Sequence, residues 1–178
     1  MEAFENYRKK GEGIKIIESR CHDLGHTIGN SAIEFGYKYN EILKGCKSYC
    51  AGGCINGAAH ALVFQGKTIG ELEDFCNSPG VEPDVRITCY HGIGHSFIEY
   101  TNLDIEKALK LCEQIKFEEG RYQCGHAVVM DYGIPASAPL NKIPQDVSDF
   151  CRGLNPIFRE SCLTFTGFLE YARSLEAK

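Results

Sequence analysis

Histidine is the residue type whose spacing in this sequence could support chemistry. Five segments can be aligned on starting residues about 35 positions apart, namely Arg20, Cys54, Cys89, Cys124 and Cys162. All six histidines then fall into two columns, at the second and sixth positions after the start. The second position holds His22, Asn56, His91, His126 and Thr164, and the sixth holds His26, His60, His95, Met130 and Phe168. Random placement would rarely do this, so the columns indicate a shared role.

Residues four positions apart project from the same face of a helix, about one turn apart. His22 and His26 form such a chelating pair, and His60 on the next segment supplies a third donor. Neighbouring helices lie about 8–10 Å apart, so a pair and a single histidine can converge on one ion. The second predicted metal group has the same composition and consists of His91, His95 and His126.

The chemistry of the ligands indicates which metal to expect. Imidazole-only coordination suits copper, zinc or iron, and disulfide formation would remove the competing soft thiolates. Together with the nearby Met130, this favours copper, with zinc and iron as alternatives. Neither pair carries a glutamate after its first histidine, so the His-Glu-x-x-His motif of zinc peptidases is missing. The residues expected to hold the second ring nitrogens are Asp23, Asn56, Glu99 and Asp131.

The histidines have a second interpretation as helix-packing residues with satisfied hydrogen bonds. Small residues stand around them: Gly25, Gly57, Ala58, Ala59, Gly92, Gly94, Gly125 and Ala127. Glycine within a helix costs about 1 kcal/mol relative to alanine, which indicates close helix packing, close approach of a metal, or both. Two functions follow. One is a redox or small-molecule-processing metalloprotein, and if it is an enzyme we expect a metal-dependent oxidoreductase. The other is a non-catalytic repeat scaffold with a structural zinc or packed histidines.

The elements that must position the histidines are predicted to be helices. Apolar residues recur at three- and four-residue spacing, as in Ile105, Leu109 and Cys112, and strand alternation is hard to find. An amphipathic run ending in cysteine precedes each aligned segment from the second onward, which gives five αα-hairpins. Their approximate bounds are 1–37, 38–66, 67–102, 103–135 and 136–178. This series predicts an all-α, solenoid-like or strongly curved single domain over residues 1–178.

The ten cysteines recur in phase with these hairpins. A cysteine that closes the first helix and one that opens the second lie at the same end of a hairpin, so they are expected to pair. The predicted disulfides are Cys46–Cys54, Cys76–Cys89, Cys112–Cys124 and Cys151–Cys162. Cys21 and Cys50 remain and are assigned to each other. Metal binding by Cys46, Cys50 and Cys54 is the alternative, although structural zinc favours two close pairs.

Composition narrows the setting of the protein. The 178 residues are 43% apolar, which is enough to bury a core, and the net charge of −5 argues against nucleic-acid binding. No apolar run reaches the about 18 residues that predict a membrane span. Ten cysteines favour an extracellular or periplasmic location, or the exterior face of a membrane. We expect an export signal or anchor ahead of Met1 in the natural precursor. We also expect a small-molecule ligand or redox partner, and a homo-oligomer is possible.

Overall fold

The structure is a computed structural model that describes residues 15–47, 50–133 and 147–165. Within these residues all the regular secondary structure is helical. The helices are α1 (Lys15–Glu34), α2 (Tyr39–Cys46), α3 (Gly53–Phe64), α4 (Ile69–Cys76), α5 (Pro83–Tyr100), α6 (Ile105–Glu113), α7 (Glu118–Gly133), α8 (Val147–Gly153) and α9 (156–165). The prediction of an all-helical fold is therefore confirmed.

Short and long helices alternate from α2 onward. Helices α2, α4 and α6 have 8, 8 and 9 residues, whereas α3, α5 and α7 have 12, 18 and 16. Each short helix precedes a longer one that carries at least one histidine. The tandem repeat stays a prediction, because the first and last hairpins extend beyond the described residues, as does Phe168.

Side-chain caps fix where two of the short helices begin. At α4, the backbone N–H of Thr68 donates to the Glu71 carboxylate at 2.8 Å, and the N–H of Glu71 donates to the Thr68 hydroxyl at 3.3 Å. At α6, the Asp104 carboxylate accepts from the N–H of Lys107 at 3.1 Å. These contacts satisfy N–H groups that have no partner within the helix. The local sequence therefore sets where these two helices begin.

Five disulfides join the ten cysteines, all of which lie in the described part of the chain, and none is free. The pairs are Cys21–Cys50, Cys46–Cys54, Cys76–Cys89, Cys112–Cys124 and Cys151–Cys162. Four of these bonds connect a short helix to the helix that follows it. The first connects α1 to the turn before α3. The prediction of a disulfide-bonded fold is confirmed, and such bonds fit an oxidising environment.

The chain divides into two compact units, residues 1–92 and residues 93–178, with the boundary inside α5. The core of the N-terminal unit contains Leu43, Ile55, Leu72 and Phe75, all at most 2% exposed. The core of the C-terminal unit contains Ile98, Ile115, Val128 and Phe158. Among the described residues, no helix combines the length and apolar character that a bilayer crossing requires. The single-domain assignment stays a prediction.

Candidate functional site

All six histidines lie on helices of the described chain. His22 and His26 are on α1, His60 is on α3, and His126 is on α7, with the remaining two on α5. Every one of the six is half-buried. A half-buried imidazole can be anchored by protein atoms on one side and reached by a small ligand on the other.

His22 and His26 face each other across one turn of α1. Their Nε2 atoms are 3.1 Å apart, and their ring centroids are separated by 4.8 Å with the planes tilted by 59°. The i,i+4 spacing therefore brings the two rings together, as the sequence predicts. Two ring nitrogens at this distance either share a proton or bind one cation between them.

A backbone carbonyl outside α1 orients the first ring of this pair. The Nδ1 atom of His22 is 3.0 Å from the carbonyl oxygen of Cys50. A carbonyl can only accept, so Nδ1 carries the hydrogen and donates it. In the neutral ring, Nε2 is then a lone-pair acceptor aimed at His26. Metal-binding histidines are typically held in this way.

Glycines let α1 and α3 meet backbone to backbone beside the pair. A Cβ atom at Gly25 would lie 2.8 Å from the backbone nitrogen of Cys54, and one at Gly57 would collide with the carbonyl oxygen of His26. Real Cβ atoms do not tolerate such contacts, so only glycine permits this crossing. The close-packing interpretation of these glycines is confirmed.

His60 occupies a different local environment on α3. Its ring stacks on Phe64 with centroids 4.3 Å apart and planes 24° from parallel. The residues that the structure describes contain no group of three or more His, Cys, Asp or Glu side chains placed to hold a metal ion. The His22–His26 pair is thus a two-nitrogen arrangement, and recruitment of His60 stays a prediction.

In the C-terminal unit, α5 and α7 each contribute one histidine. The Nδ1 atom of His95 donates to the Asp131 carboxylate at 2.6 Å, and both side chains are half-buried. Asp131 is one of the residues expected to hold a second ring nitrogen, and this expectation is confirmed. A Cβ at Gly94 would lie 2.8 Å from the Cβ of Ala127, so small residues again allow the two helices to approach.

His126 completes the histidines of this unit. Its Nδ1 atom is 3.2 Å from the hydroxyl oxygen of Ser161, and its ring lies edge-on to Phe165 at 5.2 Å. Burial lowers the pKa of His126, and the nearby His95 lowers it further. Both effects favour the neutral imidazole, which is the form that binds metals. His91 belongs to the N-terminal unit, and its place in the second predicted group stays a prediction.

Two anchors were missed by sequence reasoning. The carbonyl of Cys50 is a backbone group, which no side-chain pattern can reveal. Ser161 stands directly before Cys162, so a search for polar residues one position before the aligned starts would have found it. Of the other expected partners, Asp23 and Glu99 are exposed. Asn56 is 2% exposed, and its buried side-chain oxygen has no hydrogen-bond partner among the residues that the structure describes.

The paired rings, with one ring anchored through Nδ1, are able to bind a cation or to pass a proton between Nε2 atoms. Comparison with known proteins finds no matching protein family, curated protein or solved structure. The geometry of these histidines is therefore the basis for inferring the function of the protein. That geometry is most specific at His22 and His26.

Proposed function

We propose that the protein is a histidine-ligated metalloprotein that acts outside the reducing cytosol, with His22 and His26 as its principal ligands. The observation that carries this proposal is the 3.1 Å separation of their Nε2 atoms. Two imidazole nitrogens bound to one ion at about 2.0 Å with a tetrahedral angle are about 3.3 Å apart. The pair is therefore spaced for an ion with little movement of either ring.

The anchor on His22 supports the same proposal. Its Nδ1–H contact with the Cys50 carbonyl leaves Nε2 as a donor atom toward the metal. No proton must leave His22 on metal binding, because its neutral tautomer already presents the lone pair. The proton between the rings belongs to His26 and, in the neutral ring, would move from Nε2 to Nδ1 when an ion binds at Nε2.

Copper is the metal we propose, with zinc and iron as alternatives. All ten cysteines are in disulfides, so imidazole is the softest ligand at this site. Two nitrogens leave coordination positions open, which suits a redox or small-molecule-processing function and, in an enzyme, a metal-dependent oxidoreductase. The proposed partners are a small-molecule ligand or a redox partner. His60 is the proposed third ligand, and His91, His95 and His126 the proposed second group.

The proposed framework is a series of five αα-hairpins, each after the first closed by its own disulfide. Support comes from the alternation of short and long helices and from the four bonds that connect each short helix to the next. Such local bonds would hold each hairpin independently. A secreted or periplasmic location, or one on the exterior face of a membrane, would keep them oxidised.

A second candidate function is a non-catalytic helical-repeat scaffold with a structural zinc or packed histidines. The glycine crossing at Gly57 and the stacking of His60 on Phe64 favour it, because both give a histidine-bearing helix a packing role. The two candidates differ in what the rings of His22 and His26 do. In the scaffold they share a proton, and in the metalloprotein they bind an ion.

Metal analysis of protein purified without a histidine tag separates these candidates. We expect copper, with a visible absorption or paramagnetic resonance signal, and its loss in His22→Ala/His26→Ala. The matched control is Leu24→Ala, a change at an exposed residue between the two histidines in sequence, which should keep the metal. Full metal content in the double histidine variant would refute the ligand assignment. Zinc in place of copper, with a fall in melting temperature on its removal, would favour the scaffold.

A further inference from the structure

The Cys21–Cys50 disulfide differs from the other four in its exposure. The eight cysteines of those four bonds are at most 7% exposed, whereas Cys21 and Cys50 are both half-buried. A thiolate must reach a sulfur atom along the S–S axis to exchange with it, so access controls the rate. This bond is therefore the one that a dissolved thiol reaches first.

This disulfide also departs from the pattern of the others. In each of the other four bonds, one cysteine is the starting residue of an aligned segment: Cys54, Cys89, Cys124 or Cys162. The first segment starts at Arg20, and Cys21 stands one position after it. The residues that it joins are 29 apart in sequence, compared with 8 to 13 for the other four pairs. It connects α1 to the turn before α3 and does not close a short helical hairpin.

The turn held by this bond has an unfavourable backbone. Cys50, Ala51 and Gly52 have φ values of 55°, 52° and 76°, so three consecutive residues are left-handed. This conformation is unfavourable for an L-residue, and only the third of the three is glycine. The disulfide, the hydrogen bond from His22 and a hydrogen bond from the backbone N–H of Gly53 to the Cys50 carbonyl at 3.1 Å hold Cys50 in this turn. Without the disulfide the covalent restraint on the turn would be lost, and the carbonyl that anchors His22 would be free to shift.

We propose that Cys21–Cys50 is a site of thiol–disulfide exchange with a dithiol reductant, and that this disulfide positions His22 through the carbonyl of Cys50. The consequence for metal binding rests on the proposed function, whereas the exchange and the orientation of His22 do not. Cys21 and Cys50 are in this sense positioning residues for the histidine pair.

The exchange step balances without any further reactant. A thiolate of the dithiol attacks one sulfur of Cys21–Cys50 and forms a mixed disulfide, and the other cysteine leaves as a thiolate. The second thiolate of the reductant then closes its own disulfide and releases the first cysteine. Two electrons pass to the protein, and the two cysteine thiolates take up two protons. Oxidation of the dithiol pair reverses the step.

The first test uses the intact folded protein and limiting dithiothreitol, followed by alkylation and peptide mapping. Cys21 and Cys50 should be labelled at least about tenfold faster than the fully buried pair Cys76 and Cys89, which serves as the internal control. Equal rates for both pairs, or earlier reduction of a buried pair, would overturn the assignment of the exchange site.

The second test reads the orientation of His22 in metal-free protein by imidazole ¹⁵N nuclear magnetic resonance. Oxidised protein should have His22 protonated at Nδ1, and both the selectively reduced protein and Cys21→Ser/Cys50→Ser should lose this tautomer preference. Reduced wild-type protein keeps the test valid if the double variant does not fold. An unchanged His22 tautomer after selective reduction would overturn the positioning role.

Metal titration then separates this inference from the proposed function. In protein that is selectively reduced and then alkylated at Cys21 and Cys50, so that no free thiol competes for the metal, copper affinity should fall at least about tenfold, in the range for loss of an outer contact to a metal-binding histidine. Equal affinity in both redox states would overturn the coupling. If the oxidised protein binds no metal while the labelling order and tautomer change are observed, the proposed function fails and the exchange site stands.

Discussion

The two units of the chain anchor their histidines in different ways. In the N-terminal unit, two histidines of one helix face each other, and a backbone carbonyl of Cys50 holds the first. In the C-terminal unit, two helices contribute one histidine each, and the anchors are the Asp131 carboxylate and the Ser161 hydroxyl. The same residue type in the same columns is therefore placed in two electrostatic settings.

The charge of the anchoring group determines its effect on the histidine ring. A carbonyl carries no net charge, so it fixes the tautomer of His22 without adding a charge beside the ring. A carboxylate adds a negative charge beside His95, which favours a bound cation there. Under the proposed function the N-terminal pair is the better placed chelator, because its two Nε2 atoms are already 3.1 Å apart.

The largest expected effect concerns the backbone crossing of the N-terminal unit. Gly57→Ala should destabilise this unit by about 2–3 kcal/mol, because the new methyl group meets the backbone of α1, which cannot move aside as a side chain can. Gly70→Ala is the matched control, since a Cβ there meets nothing within 4 Å. Thermal unfolding followed by circular dichroism measures both. Equal melting temperatures would mean that α1 and α3 separate at little cost.

The next effect separates the two histidine groups by metal stoichiometry. His22→Ala should lower metal affinity at the N-terminal pair by more than about 100-fold, since loss of a direct ligand exceeds loss of an outer contact. His91→Ala and His95→Ala should each remove metal from the second predicted group, and His126→Ala should weaken it less. Helical circular dichroism should stay near native in all four variants.

Calorimetric titration with copper measures these affinities and counts the sites. If His22→Ala removes one equivalent of bound copper and His95→Ala removes a different one, the protein has two sites. If His22→Ala also removes the second equivalent, the two units act together and the contrast drawn between them is wrong.

The sequence was sufficient for the features that depend on residue type and spacing. Helical periodicity predicted the all-helical fold, and the i,i+4 interval predicted the approach of His22 to His26. Asp131 was among the residues expected to accept a ring N–H, because it is a polar residue near the histidine columns, and it accepts from His95. These inferences need no tertiary information beyond helix adjacency.

Backbone geometry lay beyond such reasoning. The carbonyl of Cys50 that contacts His22 belongs to a turn in which residues 50–52 have left-handed φ values, and the residue types Cys50 and Ala51 do not predict this conformation. The boundary between units falls inside α5, where the sequence pattern is continuous. Whether a third donor joins a histidine pair depends on ångström-scale helix positions, and column alignment does not resolve these.

A smaller effect tests the carboxylate anchor of the C-terminal unit. Asp131→Asn keeps an acceptor near His95 but removes the negative charge, so cation binding there should weaken by about tenfold. The N-terminal pair has no such charge in its anchor and should be unaffected. Zinc and copper titrations of the variant measure the change. Weakening of both sites alike would indicate a general loss of structure and not of charge.

The smallest effect compares the helix caps of the two units. Thr68→Ala removes the N-cap of α4 and should cost about 1 kcal/mol, as N-caps usually do. Hydrogen bonding from the Thr68 backbone N–H, then from Lys67 and the Thr68 hydroxyl, lowers the pKa of Glu71 to about 2. Because this pKa is depressed in the folded state, the stabilisation is present above the ordinary value of 4.5 and is lost as the pH falls toward 2.

Thr68→Ala should raise the pKa of Glu71, and a carboxyl ¹³C titration measures it. At α6 the capping residue is itself the titrating group, because Lys107 lowers the pKa of Asp104 through its side chain and its backbone N–H. Protonation of Asp104 at low pH therefore weakens that cap directly, and Asp104→Ala should abolish this part of the pH dependence. A Glu71 pKa that is unchanged in Thr68→Ala would show that the backbone N–H of residue 68 and Lys67 hold it low without the hydroxyl.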